Sequence, residues 1–238
     1  MIWIDLLFPR RCPVCDRALP IGALICTSCA DKLKIVKPPF CRKCGKGLVD
    51  EREEYCADCM QTQHFYTEGR ALYEYPCVRR SMYRFKYKGR REYAEFYGGE
   101  LARLLGDVIR RWNPDALVPV PLHRTRRRTR GYNQAQALAD VLGRQLGIRV
   151  ESGLLRRVKK TVPQKCLNRE MRQNNLKKAF KLCRNDVKLN TIIVIDDIYT
   201  TGSTIDAAAA VLREAGIKEV YFIALAAGIS LENASKRQ

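Results

Sequence analysis

The stretch Ile192–Thr204 reads Ile-Ile-Val-Ile-Asp-Asp-Ile-Tyr-Thr-Thr-Gly-Ser-Thr, and it constrains the fold more than any other part of the chain. Four β-formers run into two adjacent carboxylates, a turn of small hydroxyl residues around one glycine, and an alanine-rich helix predicted over Ile205–Ala215. The apolar run Ile192–Ile195 predicts a strand buried on both faces. Its carboxyl end then delivers acids and an anion cradle to one place, where open α/β sheets bind ligands.

Each part has a chemical use. Gly202 lets the turn approach a ligand with no Cβ in the way. Thr200, Thr201, Ser203 and Thr204 offer hydroxyl donors, and the first amides of a helix favour an anion. Asp196 and Asp197 beside that site suit sugar hydroxyls, or Mg²⁺ held through water. The turn has no lysine of the kind that Gly-x-x-x-x-Gly-Lys-Ser/Thr demands, and it lacks the Gly-x-Gly-x-x-Gly pattern. Both common nucleotide-binding loops are therefore excluded.

The string resembles the phosphoribosyl-pyrophosphate (PRPP) signature of type I phosphoribosyltransferases. The resemblance implies that Asp196 and Asp197 contact the ribose, and that Thr200, Thr201, Gly202, Ser203 and Thr204 hold the 5-phosphate. Purine-salvage members often carry an acid immediately before the Thr-Gly pair. Thr200 stands there in this chain, which argues against purine salvage.

Charge is unevenly placed. Residues 77–190 hold 29 basic and 9 acidic side chains, net +20, while residues 1–76 are net +1 and residues 191–238 net −2. So concentrated an excess favours a polyanionic partner: PRPP, a nucleotide or a nucleic-acid backbone.

Eight of the eleven cysteines form four Cys-x-x-Cys pairs, separated by ten, eleven and eleven residues. A two-residue spacer brings both thiolates of a knuckle to one metal, and two knuckles complete a tetrahedral site. Two structural zinc ions are expected in a double zinc ribbon. The simplest partition places one ion on Cys12, Cys15, Cys26 and Cys29 and the other on Cys41, Cys44, Cys56 and Cys59; a cross-braced partition fits the same spacing. His64 lies outside the pattern and is not read as a ligand. Little apolar sequence separates the knuckles, so metal is expected to supply their folding energy.

Two further strings lie in the basic middle. A strand predicted over Ala116–Val120 leads through Val118-Pro-Val-Pro-Leu-His123 and five arginines between Arg124 and Arg130 to Gly131-Tyr-Asn-Gln134, where the helix Gln134–Leu146 begins. Arginine forks match phosphate oxygens in pairs. Downstream, Thr161-Val-Pro-Gln164, Leu167, Arg172, Asn175-Leu176 and Ala179-Phe180 show little periodicity, as a flap closing over a polyanion would. With the opening Leu-Phe-Pro-Arg-Arg-Cys-Pro-Val-Cys, these strings resemble the ComF competence-protein family over essentially the whole chain.

The resemblance implies an α/β fold: a type I phosphoribosyltransferase-like, mostly parallel sheet over residues 66–238, preceded by a double zinc ribbon over residues 1–65. It implies a pyrophosphate loop of Pro119, Val120, Pro121 and Leu122, with Arg130 and Asn133 nearby, and a flexible loop bearing Gln164, Arg172 and Asn175. Lys86, in Phe-Lys-Tyr-Lys-Gly, also matches a family position. The implied activity is Mg²⁺-dependent glycosyl transfer from PRPP to an unnamed acceptor. No residue stands out as a general base, so catalytic residues stay unassigned. The rival reading is a single-stranded DNA-binding accessory of DNA uptake, whose interleaved Tyr83, Phe85, Tyr87, Tyr93, Phe96 and Tyr97 stack bases unless they are core. No apolar stretch is long enough to span a membrane. Met1–Phe8 lacks a positive leader region and is expected to belong to the fold, which makes the cytoplasm the expected compartment. Oligomeric state is not legible.

Overall fold

The computed structural model describes residues 9–158, 179–183 and 188–228. Its centre is a four-stranded, all-parallel sheet in the order β1-β6-β5-β2. The strands are β1 (Gly69–Glu74), β2 (Ala116–Pro119), β5 (Thr191–Tyr199) and β6 (Glu219–Ala227). A separate antiparallel pair joins β3 (Leu155–Arg157) to β4 (Phe180–Leu182).

The alternation of side chains along β5 decides what covers each face. Ile193 and Ile195 pack into the cluster built by α3 (Tyr75–Tyr87), α4 (Tyr93–Trp112) and α6 (Gln134–Leu146). Ile192 and Val194 pack on the other face with α7 (Ser203–Glu214), β3 and β4. The predicted strand buried on both faces is present, and so is the helix Gln134–Leu146. Asn133 caps that helix by accepting from the Ala135 amide at 3.2 Å, and Gly147 ends it in the left-handed conformation.

Three elements differ from the sequence expectation. The arginine stretch between the predicted strand and the helix at Gln134 has no element of its own in the sequence reading and is a helix, α5 (Arg124–Arg130), closed by Gly131. Arginine is a good helix former, and the basic residues of its last turn suit the negative end of the helix dipole. Strand β5 continues through both aspartates to Tyr199, because pairing with Ala224, Ala226 and Ala227 of β6 outweighs the poor strand propensity of aspartate. Helix α7 starts at Ser203, two residues before the predicted start.

The eight knuckle cysteines fall into two groups. The sulfurs of Cys12, Cys15, Cys26 and Cys29 lie within 4.8 Å of one another, as do those of Cys41, Cys44, Cys56 and Cys59. This is the sequential partition, not the cross-braced one. Short helices α1 (Thr27–Ala30) and α2 (Ala57–Gln61) carry the second knuckle of each group. The first group forms a small cluster with Leu19, whereas Cys41, Cys44 and Cys56 are buried in the cluster that also holds Tyr66, Tyr199, Phe222 and α7. The core is thus continuous across the expected boundary at residue 65. Among the described residues no helix is long and apolar enough to cross a membrane.

Candidate functional site

The site is made by a mismatch in strand length. β2 ends at Pro119, opposite Ile195, while β5 runs four residues further. From Asp196 onward β5 has lost its neighbour on that side, and a cleft of about 420 Å³ opens there. Alternation sends the two carboxylates to opposite faces of the strand. Asp197 turns to the α3 side, where the Lys86 ammonium lies 2.9 Å from its Oδ1. Asp196 turns to the β3 side, toward Arg157.

The Asp196 carboxyl is pushed up to about 7 by burial and by the charge of Asp197, against the opposing pull of the Asp197 amide, Lys86 and Arg157. That amide donates to Asp196 Oδ1 at 2.9 Å. Arg157 is held below the usual guanidinium range by burial and by the charge of Arg126, with Asp196 acting the other way. Lys86, Arg126, Arg130 and Arg157 line the cleft together with the two aspartates. Cations outnumber acids there, in a partly desolvated space, and an anionic ligand relieves their mutual repulsion.

At the end of β5 the turn Thr200–Thr204 leads into α7. Thr200 and Thr204 line the cleft. Gly202 is the N-cap with φ +79°, and no side chain caps the opening amides of α7. A Cβ at this position would lie 2.7 Å from the Tyr199 hydroxyl, so the turn is seated on the tyrosine ring. The expected anion cradle is therefore next to the aspartates.

The Gly131–Gln134 string acts as a tie. Tyr132 Oη and Gln134 Nε2 both donate to the Phe85 carbonyl, the latter at 3.2 Å, which fixes the end of α3 beside Lys86. Asn133 Nδ2 donates to the Val120 carbonyl at 2.9 Å. Arg130 donates to Tyr87 Oη at 3.0 Å and to Gln134 Oε1 at 3.1 Å, with its guanidinium 4.8 Å from the Tyr87 ring centre.

Of the residues expected at the pyrophosphate loop, Val120, Leu122, Arg130 and Asn133 line the cleft. Pro121 lines the neighbouring hollow of about 270 Å³, and Pro119 is the last residue of β2. Both polar ends of the Asn133 side chain are occupied in holding the loop and capping α6. Gln164, Arg172 and Asn175 lie outside the described residues. Sequence reading missed Arg157 and Tyr75 as cleft residues and did not single out Arg126 from the neighbouring arginines. The one available signal for Arg157 was an arginine pair following Leu154-Leu155. The aromatics divide cleanly: Phe85, Tyr93, Phe96 and Tyr97 are buried, whereas Tyr83 and Tyr87 are exposed on α3.

Sequence comparison agrees with this architecture. The profile of the phosphoribosyl transferase domain matches residues 98–237, and that of the double zinc ribbon domain matches residues 3–60. Competence protein F of Haemophilus influenzae is 31% identical over 92% of this chain and 97% of its own length. The chain belongs to the ComF family. Competence protein ComFC of Bacillus subtilis is 31% identical over 81% of this ComF chain and 79% of its own length. The DNA utilization protein YhgH of Escherichia coli is 30% identical over 90% and 96%. The two tetracysteine groups of this ComF protein fit two structural zinc ions: four sulfurs each, closed and largely buried.

Proposed function

We propose that this ComF protein binds PRPP with Mg²⁺ in the cleft at the end of β5 and acts as a phosphoribosyltransferase-like protein. The observation that carries the reading is the meeting of two neighbouring carboxylates, four cationic side chains and the amides opening α7 at one cleft. The 5-phosphate rests on Thr200, Thr201, Gly202, Ser203 and Thr204, whose hydroxyls and amides are donors. The ribose diol lies against Asp196 and Asp197. The pyrophosphate lies toward Val120 and Leu122, facing Arg126, Arg130 and Arg157. The carboxylates are hard oxygen donors of the kind Mg²⁺ takes, directly or through water, and the ion's contribution is to neutralise charge on the departing pyrophosphate.

Lys86 has two partners to choose from. In the structure it neutralises Asp197. When the ribose diol engages Asp197, the ammonium is left facing the pyrophosphate, where it adds to the charge stabilisation supplied by the arginines. Gln164, Arg172 and Asn175, outside the described residues, are proposed to help exclude water from the bound ligand.

Calorimetry with PRPP and Mg²⁺, followed by a pyrophosphate-release screen across nucleobases, tests the reading. Binding that disappears in Asp197→Asn, with release for one acceptor, is the expected result. Absence of binding by the intact protein would overturn it.

A second reading has its own observation. Arg79, Arg80, Tyr83 and Tyr87 form an exposed stripe along one side of α3, the exposed Lys88 follows its end, and Arg130 links Tyr87 to the exposed arginines of α5. Cations interleaved with exposed aromatics suit a single-stranded nucleic acid. The names of the Haemophilus influenzae and Escherichia coli relatives, which mention competence and DNA utilization, support this use alongside the first.

A further inference from the structure

We propose that the second tetracysteine module is a working part of the phosphate turn, so that metal at Cys41, Cys44, Cys56 and Cys59, and not at the first group, holds Thr200–Thr204 in shape. The use of that turn as a phosphate cradle rests on the reading above; the mechanical link can be tested apart from it.

The turn is gripped at both ends by one short segment that follows Cys59. At its start, the buried Tyr199 hydroxyl shares a 2.7 Å hydrogen bond with the buried Tyr66 hydroxyl. The Tyr199 ring is stacked on Phe222, with centroids 4.7 Å apart and planes 8° apart, and Gly202 sits against the face so presented. Beyond the turn, Asp206 in the first turn of α7 is held twice. Its Oδ2 lies 2.6 Å from His64 Nδ1, and its Oδ1 accepts from the Phe65 amide at 3.0 Å. His64 and Tyr66 stack on each other at 4.7 Å, so the two grips are one unit.

The second cysteine group holds that unit in place. Cys41, Cys44 and Cys56 share its buried cluster. Lys46, a buried residue two positions after Cys44, reaches Asp58 of α2 at 2.7 Å and lies 5.5 Å from the Tyr199 ring centre. A ribbon this small owes much of its folding energy to its metal. Releasing that metal frees α2 and the His64–Tyr66 segment, and both grips slacken. The first group is fastened elsewhere. Asp16 takes Arg90 at 2.9 and 3.1 Å and Tyr93 at 2.6 Å, and Arg84 donates to the carbonyls of Pro13 and Val14. All of these partners are on α3 and α4 or just before them, on the opposite face of the sheet.

Hydrogen–deuterium exchange on the full chain decides the matter, comparing the parent with Cys12→Ser, Cys56→Ser and Tyr66→Phe. Exchange over residues 199–206 is expected to quicken about tenfold or more in Tyr66→Phe, the effect of leaving the buried Tyr199 hydroxyl unpaired, and to quicken likewise in Cys56→Ser through loss of a metal ligand. It is expected to stay at the parent rate in Cys12→Ser. Helix α6 serves as the internal reference. If Cys56→Ser loses protection there too, that variant has unfolded and Tyr66→Phe alone decides. An unchanged turn in Tyr66→Phe, or an equal change in Cys12→Ser, overturns the proposal. Parallel calorimetry with PRPP separates the two ideas: a coupled turn in a protein that binds no PRPP sinks the proposed function and leaves this link standing.

Discussion

Asp196 sets stability against use. A carboxyl raised to about 7 in the folded state, from an ordinary 3.8, favours folding most when it is protonated in both states. As pH rises from about 4 to about 7 the unfolded chain ionises while the folded one keeps its proton, so this group's contribution falls; above about 7 the loss is complete. Every tenfold difference in proton affinity between the folded and unfolded chain is worth about 1.4 kcal/mol. Asp196→Asn is the isosteric cure, since an amide oxygen still accepts from the Asp197 amide. Chemical denaturation should show the Asp196→Asn variant more stable than the parent at pH 8, by an amount on the order of a few kcal/mol, and no more stable below pH ~4. A variant that is no more stable at either pH would mean the folded carboxyl is not desolvated. Gly202→Ala is expected to move stability the other way. Its φ of +79° costs an L residue about 1–2 kcal/mol, and the new methyl meets the Tyr199 hydroxyl. A lowered thermal midpoint, together with weaker phosphate binding, is the outcome to look for.

Between elements, α4 approaches α6 closely. A Cβ on Gly98 would lie 2.5 Å from Val141 Cβ, with Leu138 O at 3.4 Å. Two effects compete in Gly98→Ala. Alanine is better than glycine in a helix by about 1 kcal/mol, whereas forcing a methyl into a packed helix contact costs about 1–3 kcal/mol. Contact with a Cβ, which cannot rotate away, lets the second effect win. Gly98→Ala is expected to lower the denaturant midpoint, and Val141→Ala added to it should recover part of the loss; a stabilised single variant would contradict the packing described. The same scale shows why some elements were readable and others were not. Helix α6 announces itself through Asn133, an apolar period and Gly147. The Ile192–Ile195 strand does so through its β-branched run, and the cysteine knuckles through spacing. Helix α5 has no apolar face to read, and β3 and β4 are three residues each. The extension of β5 depends on partners in β6 that no local rule supplies. His64 and Asp206 are 142 positions apart, so their pairing leaves no trace in either neighbourhood. At the site, the aspartates and the glycine turn were legible because their chemistry is contiguous in sequence. Arg157 and Arg126 were not singled out, because only the folded cleft distinguishes them from the many other arginines.

For the molecule as a whole, part of the basic excess found among the described residues of 77–190 lines the cleft and part lies on an open face. Arg126, Arg130 and Arg157 line the cleft, Arg126 at its exposed edge, while the exposed Arg124, Arg127 and Arg128 of α5 do not line it. That division separates two kinds of anion binding. A single-stranded oligonucleotide held on the open face releases counterions, so log K falls with log salt by about 0.7 for each phosphate contact. Replacing Arg124, Arg127 and Arg128 by glutamine should therefore flatten the slope by roughly 2. Tyr83→Ala with Tyr87→Ala removes stacking, worth about 1–3 kcal/mol per base, and should lower affinity at every salt concentration with the slope unchanged. Asp197→Asn alters neither quantity if the oligonucleotide stays outside the cleft. Fluorescence anisotropy across a salt series measures all three variants. A slope indifferent to the three arginines would remove α5 from the nucleic-acid face, and an oligonucleotide lost on Asp197→Asn would place its phosphates in the same cleft as PRPP.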